Sequence, residues 1–290
     1  MKKIEIVLDW FPHTNHTGMF VALDKGYFSN EGIDADIKGD VHGILSIEGA
    51  DIVVTPQASI LTTEDKSLVG VATLTQKCDS GFVSLKEAGI TRPSELTGKR
   101  LTHWDTNWFH KIVGKIVSDD GGNYQEINLI HKNVGNIVET LGAEADATWI
   151  YKNWEYFELK YAGKDVNYFA LADFGDLYNF CAPAVSARKA LISESPESLK
   201  AFLGAIDRGY IDAANDPEEG AAIISKYMTN WNKELIFDSQ QYISGLYLDE
   251  TGHWGYIKPE RWNTLADWMA EVNLIGERRN QEFTNEFLSR

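Results

Sequence analysis

Ile4-Glu5-Ile6-Val7-Leu8-Asp9-Trp10 runs directly into Phe11-Pro12-His13-Thr14-Asn15-His16-Thr17-Gly18. A β-branched and apolar run ends in an acid, an indole and a proline-initiated turn crowded with polar side chains. In an open α/β sheet, the position just past the carboxyl end of a strand is where ligands bind. The side chains here suit a flat heteroaromatic molecule. Trp10 offers a ring to stack on, and Asp9, Asn15 and His16 offer an anion and polar groups that orient the guest. The pattern predicts a strand over residues 4–9 and a helix from Gly18 to Lys25 that stops at Gly26.

Outward from this segment, strand and helix alternate. Ala35–Ile37 and Asp51–Val54 read as strands, the second ending at Thr55-Pro56 before a helix through Ser59 to Thr63, and Leu68–Leu74 is β-rich. Such alternation predicts parallel βαβ units. A Pro-started turn at Ile90–Leu96, then Gly98 and a new strand, marks a second lobe. That lobe is expected to hold a helix Asn107–Asp119, a strand Glu126–Ile130, a helix Val134–Gly142, and strands Ala147–Ile150 and Tyr168–Leu171. From Pro196 the chain reads as amphipathic helices, Pro196–Ala214, Pro217–Met228, Lys233–Ser244 and Pro259–Ala270, which return to the first lobe. The expected division is 1–88 with 184–290 for lobe 1 and 89–183 for lobe 2. A chain that crosses twice describes a hinged cleft.

The 290 residues carry 27 Lys and Arg against 43 Asp and Glu, a formal net charge of −16. That balance disfavours nucleic acid and anionic lipid, and self-repulsion favours a monomer. No apolar stretch approaches the roughly 20 residues that span a bilayer. Met1-Lys2-Lys3 enters the first strand without a secretory leader. The expectation is an extracytoplasmic protein whose leader is missing from this chain, or a cytoplasmic one if Met1 is the native start. Cys78 and Cys181 form no CxxC pair, and free core thiols are expected over the alternative of a disulfide between them.

Several further segments could carry recognition. Thr55-Pro56-Gln57 opens a helix after a strand, so Thr55, Gln57 and free backbone N–H groups could hold a carbonyl or anion, although Thr55 and Pro56 also suit a simple N-cap. His103-Trp104-Asp105-Thr106-Asn107-Trp108 repeats the strand-end architecture and puts Trp104 and Asp105 at a ligand mouth. Ala147-Thr148-Trp149-Ile150-Tyr151-Lys152-Asn153-Trp154-Glu155 is another strand running into an aromatic turn. There Trp149 is a candidate ring, and Glu155 is a carboxylate able to accept two parallel hydrogen bonds from an aminopyrimidine edge. Tyr178, on the return crossing, either closes the cleft or packs in the core. The spacing of His13 and His16 suggests metal, but no third ligand stands at ligand spacing, so turn hydrogen bonding is expected and no metal. GxSxG, P-loop, GxGxxG and HExxH motifs are absent.

Leu8-Asp9-Trp10-Phe11-Pro12-His13-Thr14-Asn15-His16-Thr17-Gly18, with Val21-Ala22-Leu23-Asp24-Lys25-Gly26-Tyr27-Phe28, resembles the opening of thiamine-pyrimidine-precursor binding proteins. Asp146–Tyr151 with Trp154-Glu155, Tyr247–Glu250, Trp254–Tyr256 and Pro259–Trp262 are weaker matches. The resemblance implies an α/β, two-lobed periplasmic-binding-protein fold of type II (Venus-flytrap), with the ligand in an inter-lobe cleft. It also implies a small heteroaromatic ligand, an ABC transporter permease as partner and no cofactor. Carried over by position, Trp10, Asn15 and Glu155 would contact the pyrimidine. Some relatives bind riboflavin. The yeast-type pyrimidine synthases are similar too, but use a Lys and a His where this chain has Thr55 and Ser59, and a cysteine cluster of which only Cys181 remains. A synthase that consumes its own histidine with pyridoxal phosphate is therefore the rival reading. The turn Thr106–His110 is bulkier than in the bacterial relatives, and Lys38–Gly43 is shortened.

Overall fold

The computed structural model describes residues 1–39, 49–63, 66–104, 106–132, 135–279 and 281–289. The chain forms two units, Met1–Lys77 with Phe180–Arg290, and Cys78–Asn179. Among the described residues the strands are β1 Lys2–Val7, β2 Ile33–Lys38, β3 Ile52–Thr55, β4 Leu68–Thr73, β5 Ser80–Leu85, β6 Arg100–His103, β7 Asn128–His131, β8 Ala147–Tyr151, β9 Val166–Ala170 and β10 Ala184–Arg188. None of the described helices is long and apolar enough to cross a membrane.

The first unit is built on a sheet of order β2-β1-β3-β10-β4. β1 runs parallel to β2 and β3, with Ile6 opposite Ile52. β10 runs antiparallel to both β3 and β4, so the sheet is mixed rather than wholly parallel as the alternation predicts. The cause is topological: the chain re-enters from the other unit and lays β10 in reverse between two strands already placed. β4 is buried along its whole length, as expected for a strand covered on both faces.

The helix Thr17–Asp24 follows β1, and Gly26 beyond it takes a left-handed φ of 72°, which glycine adopts without steric cost. This helix crosses Pro196–Asn215 at a pair of glycines. A Cβ on Gly209 would stand 2.0 Å from the carbonyl oxygen of Gly18, and one on Gly18 would stand 2.2 Å from the Tyr210 ring. The close approach sets Tyr210 under the turn, where its hydroxyl donates to the carbonyl of Asn15 at 2.8 Å. From helix Lys233–Tyr247, the Tyr247 hydroxyl donates to the carbonyl of Thr14, and Gln240 accepts from the Thr17 hydroxyl at 2.6 Å. The carboxy-terminal helices thus clamp the first turn of the chain.

The second unit has a sheet of order β7-β6-β8-β5-β9. β6 is parallel to β7 and β8, and β5 is antiparallel to β8 and β9. β5 pairs with β8 and β9 of this unit, which begins at Cys78. The helix Asn107–Asp119 buries Trp108, Phe109, Ile112, Val113, Ile116 and Val117, the helical spacing of one apolar face. A helix expected over Val134–Gly142 shrinks to Ile137–Thr140 among the described residues.

Candidate functional site

In the first unit the segment after β1 forms a short 3-10 turn, Thr14–His16, entered through a reciprocal cap. The Nδ1 of His13 accepts from the Asn15 N–H at 3.4 Å, and the Nδ1 of His16 accepts from the His13 N–H at 3.3 Å. Both imidazoles therefore carry their proton on Nε2, and His16 uses it to donate to Asp9 Oδ1 at 2.8 Å. Burial, followed by the neighbouring His16, holds His13 well below the ordinary histidine value, so it is neutral at neutral pH.

Asp9, His13 and His16 bring three ligand-type atoms within 4.8 Å of one another. Asp9 is the third group that the HxxH spacing did not supply. Yet a metal-bound imidazole turns its remaining N–H outward to an acceptor, whereas here each Nδ1 receives a main-chain N–H. The donor set forms a hydrogen-bonded turn.

Trp10 is half-buried and packs against Phe11 at 4.6 Å between ring centroids. Phe11 in turn stacks on Trp231 at 5.4 Å and 10°. Trp231 was not singled out from sequence; its only signal is an indole between two asparagines ahead of a helix capped by Asn232.

Asn15 is fully buried, and both of its main-chain groups are satisfied. Its carboxamide Nδ2 and Oδ1 have no hydrogen-bond partner among the described residues. Gln76 repeats the situation with both amide atoms, and the Thr75 hydroxyl is also unpartnered. Gln76 donates its N–H to the carbonyl of Leu246 at 2.7 Å, next to the Tyr247 that clamps Thr14. One helix end therefore fastens both amide-bearing segments. Neither Thr75 nor Gln76 shows a sequence pattern that marks it.

Gln57 is differently placed. Its Nε2 donates to the carbonyl of Trp262 at 2.8 Å and its Oε1 accepts from the Cys181 N–H at 3.1 Å. The Gln57 N–H is taken by the Cys181 carbonyl. Thr55 is half-buried at the end of β3, and Pro56 rather than Thr55 occupies the cap of the helix Gln57–Thr62. Cys78 and Cys181 are both buried free thiols.

In the second unit Trp104 stands 5.6 Å from Trp149 and 6.0 Å from Trp108. Trp108 and Trp149 are buried core rings, and Trp104 keeps an exposed face. Asp105 lies outside the described residues. Tyr178 is buried and donates to Asp119 Oδ2 at 2.8 Å.

Glu155 lies in a π-helical turn, Lys152–Tyr156, where its Oε2 accepts from the Tyr151 N–H at 3.1 Å. Burial first, and then the charges of Glu158 and Asp79, push its carboxyl well above the usual range. Asp79, absent from the sequence candidates, accepts from the Asn153 N–H through Oδ2 at 3.1 Å. Burial pushes Asp79 up to about 7, partly opposed by the Asn153 N–H, and burial also lifts Glu158 to about 7.

A raised carboxyl favours the protonated folded state. Its contribution is complete below the unfolded value of about 4 and is lost as pH climbs through about 7. Thermal melts from pH 5 to 8 should therefore show Asp79→Asn losing less stability than the parent over that window. A parallel decline in both proteins would contradict this assignment.

The family described as NMT1/THI5 like matches residues 13–220. The formylaminopyrimidine-binding protein of Halalkalibacterium halodurans is 26% identical over 281 residues, covering 93% of this chain and 85% of its own. A 4-amino-5-hydroxymethyl-2-methylpyrimidine phosphate synthase of Legionella pneumophila is 22% identical over 306 residues, covering 99% and 92%. The periplasmic aliphatic sulphonate binding protein SsuA of Escherichia coli aligns with a TM-score of 0.73 at 12% identity, over 99% of this chain and 91% of that one. That likeness shows a two-lobed α/β periplasmic-binding-protein fold. With the family match extending over well more than half of its length, the chain belongs to the NMT1/THI5-like family.

Proposed function

We propose that this chain is a solute-binding protein that takes a small aminopyrimidine-type heteroaromatic and presents it, outside the cytoplasm, to an ABC transporter permease. The observation that carries the reading is the carboxamide of Asn15, fully buried with donor and acceptor both unpaired among the described residues. Each such group costs about 1–3 kcal/mol when left unmade. A turn held by Tyr210, Tyr247 and Gln240 keeps it in place despite that cost. A solute edge with one acceptor and one donor satisfies both atoms. The half-buried Trp10 supplies a face for its ring, and the Asp9–His16 pair stiffens the turn between them. Glu155 in the second unit is the proposed acceptor for an amino group and ring nitrogen.

The relative named for formylaminopyrimidine binding supports this reading. The synthase alternative requires an amine to form a Schiff base. At the corresponding positions this chain carries Thr55 and Ser59, whose hydroxyls form none, so the residues do not fit pyridoxal phosphate.

Isothermal titration with 4-amino-5-hydroxymethyl-2-methylpyrimidine and with formylaminopyrimidine tests the assignment. Saturable binding of at least one is expected, and Trp10→Ala should weaken it roughly tenfold, as loss of an aromatic stacking contact does. No heat with either compound would defeat the reading.

A further inference from the structure

The second unit holds a buried acid that the solute-binding reading has not used. Asp79 is 3% exposed, its Oδ2 is engaged by the Asn153 N–H, and its Oδ1 has no partner among the described residues. Its main-chain carbonyl is fixed twice, by the Lys152 N–H at 3.2 Å and by the Tyr168 hydroxyl at 2.6 Å. Glu155 is anchored on the same short segment, through the Tyr151 N–H. The N–H groups of Tyr151 and Asn153, two residues apart, thus hold the Glu155 and Asp79 carboxyls, and the Asp79 charge acts on Glu155. The Lys152 ammonium lies over the rings of Tyr156 and Tyr168, at 5.5 and 5.2 Å.

Burial favours the protonated form of both carboxyls in the empty protein, and a solute that brings donors or positive charge draws out the ionised form, which accepts. We propose that Asp79 is a specificity-determining residue for the solute, its Oδ1 accepting from an amino or protonated ring nitrogen beside the group that Glu155 reads. The proposal rests on the solute meeting Glu155, and it narrows the class to donor-rich, neutral or cationic aminoheteroaromatics. Solutes that carry a phosphate or sulfonate are selected against, because a further negative charge opposes the ionisation that lets these carboxyls accept.

Asp79→Asn separates this role from a structural one. The asparagine keeps an oxygen for the Asn153 N–H and replaces Oδ1 with an NH2 that faces the solute's donor with a donor. In calorimetric titrations with 4-amino-5-hydroxymethyl-2-methylpyrimidine, the variant is expected to bind at least tenfold more weakly than the parent. The analogue with an oxo group in place of the 4-amino group should lose less or gain, a switch that a loosened fold would not produce. Equal affinity of parent and variant for the amino compound would overturn the role of Asp79 while leaving the solute-binding reading intact. Should the parent bind neither aminopyrimidine, that reading falls and the proposal with it. A comparison that needs no variant uses the parent alone. The phosphate ester of the same pyrimidine should bind at least tenfold more weakly than the alcohol, and equal or tighter binding would overturn the proposed selectivity.

Discussion

Replacing Asn15 with leucine is expected to raise the melting temperature of the solute-free protein while weakening aminopyrimidine binding about a hundredfold. The two effects share one cause. Leucine nearly matches asparagine in shape, and it removes two polar atoms that are buried without partners among the described residues. Each atom costs about 1–3 kcal/mol in that condition, so the empty protein gains. The main-chain bonds to His13 and Tyr210 do not involve the side chain and persist. Bound solute loses a paired donor and acceptor and leaves its own edge unsatisfied. A loss of about 2–3 kcal/mol follows, near a hundredfold in affinity. Thermal melts and calorimetry on the same preparation read both. A lower melting temperature with unchanged affinity would mean the carboxamide serves the fold and not the guest.

The second large effect concerns the glycine crossing beneath that turn. Gly209→Ala places a methyl 2.0 Å from the Gly18 carbonyl oxygen and 3.0 Å from the Ala22 nitrogen. Both are backbone atoms, so relief requires the two helices to separate. Overpacking of this kind costs about 3 kcal/mol or more, roughly a 10 °C fall in melting temperature for a chain of this size. Because Tyr210 rides on the same helix and holds the Asn15 carbonyl, affinity should fall as well. Gly245→Ala is the control: the added methyl meets nothing within 4 Å, and alanine in a helix is worth about 0.5–1 kcal/mol over glycine. Equal melting temperatures for the two variants would refute the crossing's importance.

Much of this architecture is legible in the residues, and the exceptions have physical reasons. β1, its proline turn and the helix stopped near Gly26 follow from a β-branched run, a turn former and a left-handed glycine. The helix Asn107–Asp119 matches its apolar spacing from end to end. β10, Ala184–Arg188, is short and rich in small residues, and its reversed direction depends on where the chain re-enters rather than on any local pattern. β5 falls within the expected first lobe, residues 1–88, because the strong proline signal near Ile90 lies after it, whereas it pairs with strands of the second unit. The wiring of Asp9 to His16 escaped the metal-spacing argument because the acid comes from the strand end, outside the HxxH window. Aromatic residues at strand ends do not disclose which face they occupy: Trp149 and Trp108 are core, whereas Trp104 keeps an exposed face. Thr75, Gln76 and Asp79 are single polar residues without periodicity, visible only once their missing partners are seen.

The side-chain NH2 signals of Asn15, assigned in a nitrogen-15 spectrum through the Asn15→Leu variant, offer the most direct look at the claim. Titrating in 4-amino-5-hydroxymethyl-2-methylpyrimidine should shift both protons, one strongly downfield, and slow their exchange with water. A saturating solute that leaves those two resonances where they stood would show that the orphaned amide at the turn is not where the guest is held.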